Sequence, residues 1–159
     1  MKGMSRTPQD TELGYAPPVV RHMSIFLDNR VGKLLELLGS LAEEGGVAVR
    51  AISILDSSDY AVIRLLVDKP LRARAVLDQH GFAICETDVL VAELGDGHEL
   101  HHLCKFLLAA ELNIHFAYPT MARDSGHSTI VLSTDDNTLA GQILRRKGFT
   151  LLGEADLAR

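Results

Sequence analysis

Hydrophobic residues recur along the chain with two periods, one of two residues and one of three to four. Met23, Ile25 and Leu27 alternate with more polar residues, a pattern that predicts a strand with one buried face. Segment 33–44 instead carries leucines at helical spacing, and Gly45-Gly46 supplies residues that can end a helix. The two periods therefore predict a strand followed by a helix of about three turns.

The next segments predict a hairpin, a second helix and a last strand. Segments 47–55 and 60–67 are rich in aliphatic residues, and a polar turn at 56–59 separates them. Asp68 is a candidate N-cap for a helix with proline in its first turn, and segment 82–85 can form a further strand. The order strand, helix, strand, strand, helix, strand is typical of the ferredoxin-like fold, an antiparallel sheet with both helices on one face.

This βαββαβ pattern occurs twice. Many apolar residues of the first copy have counterparts about 66 positions later, as Leu34 has in Leu100. The chain is therefore predicted to be an α+β protein with two tandem ferredoxin-like modules, residues 21–86 and 87–159. Residues 1–20, which are mostly polar and without periodicity, are expected to form a flexible N-terminal tail.

Composition narrows the classes of function. A net charge of −5 and a pI near 5.8 supply no basic field for phosphates, so neither nucleic acid nor a membrane surface is an expected partner. No apolar run is long enough for a secretory signal or a bilayer span, so the protein is expected in the cytoplasm. Cys85 and Cys104 are too few for a disulfide framework, and both are expected to pack as small apolar residues.

The loop after the first strand is the candidate ligand site. In Asp28-Asn29-Arg30-Val31-Gly32 the chain passes directly into the first turn of a helix, whose backbone N–H groups suit a carboxylate. Asn29 offers a donor and an acceptor, Asp28 can attract an ammonium group and Arg30 a carboxylate, while Gly32 permits close approach to the backbone. The alternative is that Asp28 and Asn29 cap the helix and Arg30 is solvated.

The sequence of this loop and of the helix after it is similar to that of a known family of domains. The segment DNRVGKL, residues 28–34, resembles the ENRPGxL loop of ACT domains, which sense small molecules in amino-acid biosynthesis, and the pattern GxLxxLxxxLA strengthens the resemblance. The resemblance covers residues 21 to about 153 and identifies a tandem ACT-domain protein. It implies that Asn29 helps to hold an effector amino acid, as the loop asparagine does in the ACT domain of phosphoglycerate dehydrogenase. Val31 stands where the family usually has proline, which leaves the backbone angle less restricted.

The resemblance also implies that a second segment, in addition to the loop, contacts the ligand. In tandem ACT proteins the ligand loop of one module faces the second strand of its neighbour, which makes Ser53, Ile54 and Leu55 candidate contacts. The alternative is that these three residues are plain strand core. The loop of the second copy offers Gly97 and His98 but lacks asparagine, arginine and the Pro-Gly element, so two equal ligand sites are not expected.

Residues 98–102, His-Glu-Leu-His-His, formally match the H-E-x-x-H motif of zinc peptidases. At helical spacing Leu100 and Leu103 mark the buried side, which places His98 and His102 on the solvated side, away from any cleft. The match is therefore judged accidental, and no catalytic activity, metal or cofactor is predicted.

Together the patterns predict a non-catalytic regulatory protein that binds a small amino acid. Both alternating sets of residues 61–67 are largely apolar, so the second sheet face is expected to be covered by the other module or by another subunit. An apolar second face argues against an isolated monomer, and a homodimer is expected. One alternative is a regulatory subunit of an amino-acid biosynthetic enzyme, resembling the small subunit of acetolactate synthase. Another is a structural homodimer whose ligand site has decayed.

Overall fold

The computed structural model describes residues 9–11, 14–28, 30–121 and 126–158, which divide into two compact units. Residues 21–87 form one unit, called the first module below. Residues 88–157, together with the described residues that precede 21, form the other, called the second module. The predicted N-terminal tail falls partly outside the described residues, at 1–8 and 12–13. Its described residues include two short antiparallel strands, β1 (Gln9–Thr11) and β2 (Gly14–Ala16).

The first module has the predicted βαββαβ order. Its elements are β3 (Val20–Asp28), α1 (Lys33–Gly39, continued by a π-helical turn, Ser40–Glu44), β4 (Val49–Asp56), β5 (Tyr60–Val67), α2 (Pro70–Gln79) and the first residues of β6 (Ala83–Leu94). The strands lie in the order β4-β5-β3-β6, and β5 pairs antiparallel with both of its neighbours. The sequence periods predicted these elements because strand and helix patterns are local.

Both helices of the first module pack on the same face of its sheet. Leu37 of α1 and Leu77 of α2 are fully buried with Ile25, Ile63 and Leu65 of the strands. Strand alternation places Phe26 and Leu55 on the opposite face, where their exposed fractions are 45% and 55%. This module therefore has one complete core and an apolar row on its other face.

The second module repeats the arrangement. Its elements are the rest of β6, α3 (Leu100–Ala109), β7 (Ile114–Pro119), β8 (Ser128–Thr134), α4 (Asn137–Arg146) and a short α5 (Glu154–Leu157). The strands lie in the order β7-β8-β6, and Leu151 bridges Ala92 of β6 on the other side, in the place of a fourth strand. A single strand, β6, therefore ends one βαββαβ unit and begins the next.

Asp68 and Asp135 occupy equivalent places in the two modules and make the same contact. Oδ1 of Asp68 accepts a hydrogen bond from the Ala48 amide at 2.8 Å, and Oδ1 of Asp135 accepts one from the Asn113 amide at 2.7 Å. Each aspartate thereby ties the end of its module's third strand to the start of the second. The prediction that Asp68 caps α2 is wrong, because Lys69 is the N-cap and the Asp68 carboxylate is bound to Ala48.

Two further predictions about packing are corrected. Cys85 and Cys104 are exposed rather than packed as small apolar residues. Leu100 is 46% exposed, although helical spacing placed it on the buried side with Leu103, which is fully buried. Leu100 is the first residue of α3 and lies outside the core cluster of the second module. Among the described residues, no helix combines the length and apolar character needed to cross a membrane.

Candidate ligand site

The turn between β6 and α3 is closed by two backbone hydrogen bonds. The Gly95 amide donates to the His98 carbonyl at 3.1 Å, and the His98 amide donates to the Gly95 carbonyl at 2.9 Å. Gly97 has a φ of 76°, in the left-handed region that favours glycine. The turn therefore holds Asp96 and His98 at the end of β6.

The imidazole of His98 is held by a second segment, which follows α4. Its ring meets the Phe149 ring edge to face at a centroid distance of 4.9 Å, and Nε2 lies 3.0 Å from the Lys147 carbonyl oxygen. Because a carbonyl can only accept, Nε2 is the protonated nitrogen. A Cβ on Gly148 would lie 2.7 Å from Nε2, so only glycine leaves room for the ring. The prediction that His98 points to solvent from a helix face is wrong, because α3 begins after it and its ring is half-buried.

This turn and the segment after α4, together with the end of β6 and His127, line an open cavity of about 220 Å³. Its lining residues are Glu93, Leu94, Gly95, Asp96, His98, His127, Gly148 and Thr150. Sites for drug-sized ligands usually measure roughly 300–1,000 Å³, so this cavity suits a smaller molecule. The lining carries two carboxylates, two imidazoles, one hydroxyl and one large apolar side chain, a set that suits a small polar ligand with a cationic group.

The loop of the first module lies at the end of β3 and is exposed. Asp28 ends the strand, and its carbonyl accepts a hydrogen bond of 2.7 Å from the Arg30 amide. Asp28, Arg30 and Val31 are all exposed, whereas Asn29 lies outside the described residues. Gly32, with a φ of 88°, is the N-cap of α1, so Asp28 does not take the capping role of the alternative interpretation.

The candidate contacts on β4 lie at the same end of the sheet as this loop. Asp28 pairs with Tyr60 of β5, and Leu55 pairs with Val62 on the other side of the same strand. Two strand spacings, about 10 Å, therefore separate the loop from the end of β4. Ser53 is half-buried, but the exposed fractions of Ile54 and Leu55 are 53% and 55%, so plain strand core does not describe these two residues.

The two helices that follow these loops begin differently. In the first module Gly32, a residue without a side chain, is the N-cap of α1. In the second module Glu99 caps α3 through a capping box, in which its carboxylate accepts from the His102 amide and Nδ1 of His102 accepts from the Glu99 amide at 3.2 Å. The protein's own carboxylate therefore occupies the anion position at the start of α3.

The geometry departs from that of an H-E-x-x-H zinc site. That motif needs both histidines on consecutive turns of one helix, with the glutamate beside the metal. Here α3 begins at Leu100, so His98 belongs to the preceding turn and Glu99 to the helix cap. The Nε2 of His98 is also bonded to the Lys147 carbonyl.

Comparison with solved structures shows the same fold elsewhere. Protein BT0572 from Bacteroides thetaiotaomicron is 27% identical, with a TM-score of 0.78 over 89% of this chain and 96% of that one. The ligand-free regulatory subunit of aspartate kinase from Thermus thermophilus is 13% identical, with a TM-score of 0.56 over 82% of this chain and 93% of that one. No protein of curated function matches the sequence significantly.

The sequence itself matches a family model. The model describes an ACT domain pair, and it matches residues 19–159, which include nearly all of both modules. The match supports a regulatory role in which the protein binds a ligand. The tandem βαββαβ units, the shared strand β6 and this match together show that the chain belongs to the ACT domain pair family.

Proposed function

We propose that the protein is a cytoplasmic, non-catalytic sensor that binds a small amino acid. Binding would change the protein's own assembly or its affinity for a partner. The observation that carries the proposal is the ACT domain pair match over residues 19–159. It is supported by polar, glycine-containing loops at the same place in both modules. A ligand that makes its contacts in only one arrangement of modules or subunits binds that arrangement more tightly than the others. It therefore shifts the equilibrium toward that arrangement.

The first-module site is proposed to recognise both charged ends of an amino acid. Asn29 would bind the ligand through its amide, Asp28 would attract the ammonium group and Arg30 the carboxylate. Gly32 and Val31 would allow the ligand to approach the start of α1. Exposed Leu55, with Ser53 on the same face of β4, would contact the ligand side chain, and exposed Ile54 would contact it from the other face at the edge of the sheet. The exposure of the described loop side chains, Asp28, Arg30 and Val31, and of Ile54 and Leu55 supports the proposal, because none of these five belongs to the core of the module.

The cavity of the second module is proposed as a second, unequal site. Among the residues that the structure describes, its lining contains Glu93 and Asp96 but no arginine or lysine. This set favours the cationic end of a ligand, while Gly95 and His98, whose turn includes Gly97, would supply backbone and imidazole contacts. The difference in charge between the two sites indicates that they bind with different affinities or bind different ligands.

The exposed edge of β4 favours a homodimer. Antiparallel pairing of β4 with a second copy about Ser53 would place Arg50 opposite Asp56, Ile52 opposite Ile54 and Ala51 opposite Leu55. Opposite charges and aliphatic pairs facing each other are the pairs that stabilise antiparallel strands. The edge strand is therefore self-complementary, as a two-fold interface requires.

The alternative role is that of a regulatory subunit of an amino-acid biosynthetic enzyme, resembling the small subunit of acetolactate synthase. In that case the ligand would act by changing the affinity for a catalytic subunit. Purification of the tagged chain from its native cells distinguishes the roles, since a stoichiometric catalytic partner is expected only for a subunit.

Ligand binding is tested by thermal unfolding in the presence of each of the twenty amino acids. An effector at 100 times its Kd stabilises the folded state by about 2.7 kcal/mol, which raises Tm by roughly 5–10 °C for a chain of this size. Asn29→Ala and Arg30→Ala are expected to abolish the shift. Gln79→Ala, which removes an exposed amide at the end of α2, is the matched control and is expected to retain it.

Absence of a shift with every amino acid would contradict the sensor proposal and favour a subunit or a structural homodimer. A shift that survives in Asn29→Ala but is lost in Asp96→Ala would move the main site to the second-module cavity.

Dimerisation is tested by sedimentation velocity. Ile54→Lys places a charge in the proposed β4 pairing and is expected to convert the dimer to monomer, because a buried unpaired ammonium group opposes association. Leu71→Lys changes a residue of α2 that is 75% exposed and is expected to leave the dimer intact. A wild-type monomer, or a dimer that tolerates Ile54→Lys, would contradict this interface.

A further inference from the structure

Three side chains able to bind metal converge at the start of α3. Glu99 is the N-cap, and His101 and His102 follow in the first turn. One ligand atom from each residue lies within 4.8 Å of the other two. Nδ1 of His101 is 3.4 Å from Oε2 of Glu99, and the centroids of the two imidazole rings are 3.9 Å apart.

The local fold brings these three groups together. The capping box places Glu99 and His102 on the same side of the first turn, because the N-cap and third residues of a helix face each other. Nδ1 of His102 accepts the Glu99 amide hydrogen bond, so this nitrogen carries a lone pair. The side chains of Glu99 and His101 are 58% and 69% exposed, so an ion can reach them from solvent without any opening of the core.

We propose that Glu99, His101 and His102 form a surface site for a divalent transition-metal ion, with Zn²⁺ as the best-matched ion. Two imidazole nitrogens and one carboxylate oxygen are a donor set that Zn²⁺ binds readily, whereas Mg²⁺ and Ca²⁺ favour oxygen donors alone. Three protein ligands leave a tetrahedral position open for water or a fourth ligand. At His102 the ion would take the lone pair that now accepts the Glu99 amide hydrogen bond.

This site differs from the zinc motif that the sequence suggests. The motif would use His98 and His102 as ligands and keep Glu99 as a base. In the structure His98 contacts the Lys147 carbonyl and the Phe149 ring, and the cluster within 4.8 Å contains Glu99 in its place. The site is also separate from the proposed amino-acid sites, because none of its three residues lines the second-module cavity or belongs to the first-module loop.

The test is titration of the full chain, without a polyhistidine tag and after chelator treatment, with Zn²⁺ by isothermal calorimetry and with Co²⁺ by visible absorption. One ion per chain is expected. Glu99→Gln and His101→Ala are each expected to weaken binding by about tenfold or more. Glu99→Gln keeps an oxygen that can accept the His102 amide hydrogen bond, so a loss of binding in this variant reports the lost ligand rather than a frayed helix.

His98→Ala and His115→Ala are the matched histidine controls, and both are expected to bind Zn²⁺ as the parent chain does. His115 lies exposed on β7, outside the cluster. Loss of binding in His98→Ala with retention in His101→Ala would assign the ion to the motif pair and overturn the proposal. Absence of binding in the parent chain, or unchanged binding in both Glu99→Gln and His101→Ala, would also overturn it. Circular dichroism with chelator present confirms that each variant is folded.

Discussion

Replacing Leu103 by alanine is expected to lower the free energy of unfolding by about 2–5 kcal/mol. Leu103 lies on α3, is fully buried and belongs to the core cluster of the second module with Leu90, Leu107 and Leu144. Truncation removes three buried carbon atoms and leaves a cavity that the neighbouring side chains fill only in part. Urea unfolding followed by circular dichroism measures the loss.

Leu100→Ala is the matched control for this experiment. Leu100 is the same residue type in the same helix, but it is 46% exposed, so its truncation is expected to change stability by no more than about 0.5 kcal/mol. Equal losses in the two variants would mean that α3 presents a different face to its sheet. The pair therefore tests the orientation of the helix that carries the proposed metal ligands.

The free energy of unfolding is expected to fall by about 3 kcal/mol as the pH is lowered from 6.5 to 4, because of His22. His22 lies on β3 and is fully buried. Burial, reinforced by the positive charge of Arg64, lowers the pKa of His22 from 6.5 to about 4. Between these two values the unfolded chain binds a proton that the folded chain excludes. The stabilisation is therefore complete above pH 6.5 and is lost as the pH falls toward 4.

His22→Gln isolates this effect, since glutamine is polar but does not titrate. The variant is expected to show a smaller decrease in stability than the parent chain between pH 7 and pH 4.5, measured by urea unfolding at several pH values. His115→Gln, at an exposed position on β7, is the control and is expected to follow the parent curve. Parallel curves for the parent and His22→Gln would show that another group causes the loss.

Much of the fold could be predicted because its signals are local. Alternation at Met23, Ile25 and Leu27 identified β3, and the leucines after Lys33 identified α1. Helical projection failed at the first turn of α3, where Leu100 is exposed and His98 precedes the helix. A helical projection assumes that the helix includes every residue considered and that its apolar side is buried along the full length. Neither assumption holds at the end of a helix.

The two candidate loops could also be located from the sequence, since glycines after a strand and before a helix mark a turn. The cavity of the second module could not be located from the sequence. His127, Gly148 and Thr150 come from segments distant in sequence and carry no shared motif. Likewise, the pattern H-E-x-x-H drew attention to His98 and His102, whereas the arrangement of the helix cap brings Glu99, His101 and His102 together.

The amino-acid sequence by itself determined the order of elements, their duplication and the position of both loops, because periodicity and turn chemistry act over a few residues. Tertiary structure decided which side chains meet. It made Asp68, a predicted helix cap, a tie between two strands and gave Asp135 the same contact in the second module. It also packed the His98 ring against Gly148 and Phe149 and buried His22 near Arg64. These contacts depend on distances between remote segments, and such distances are set only when the sheet and helices pack.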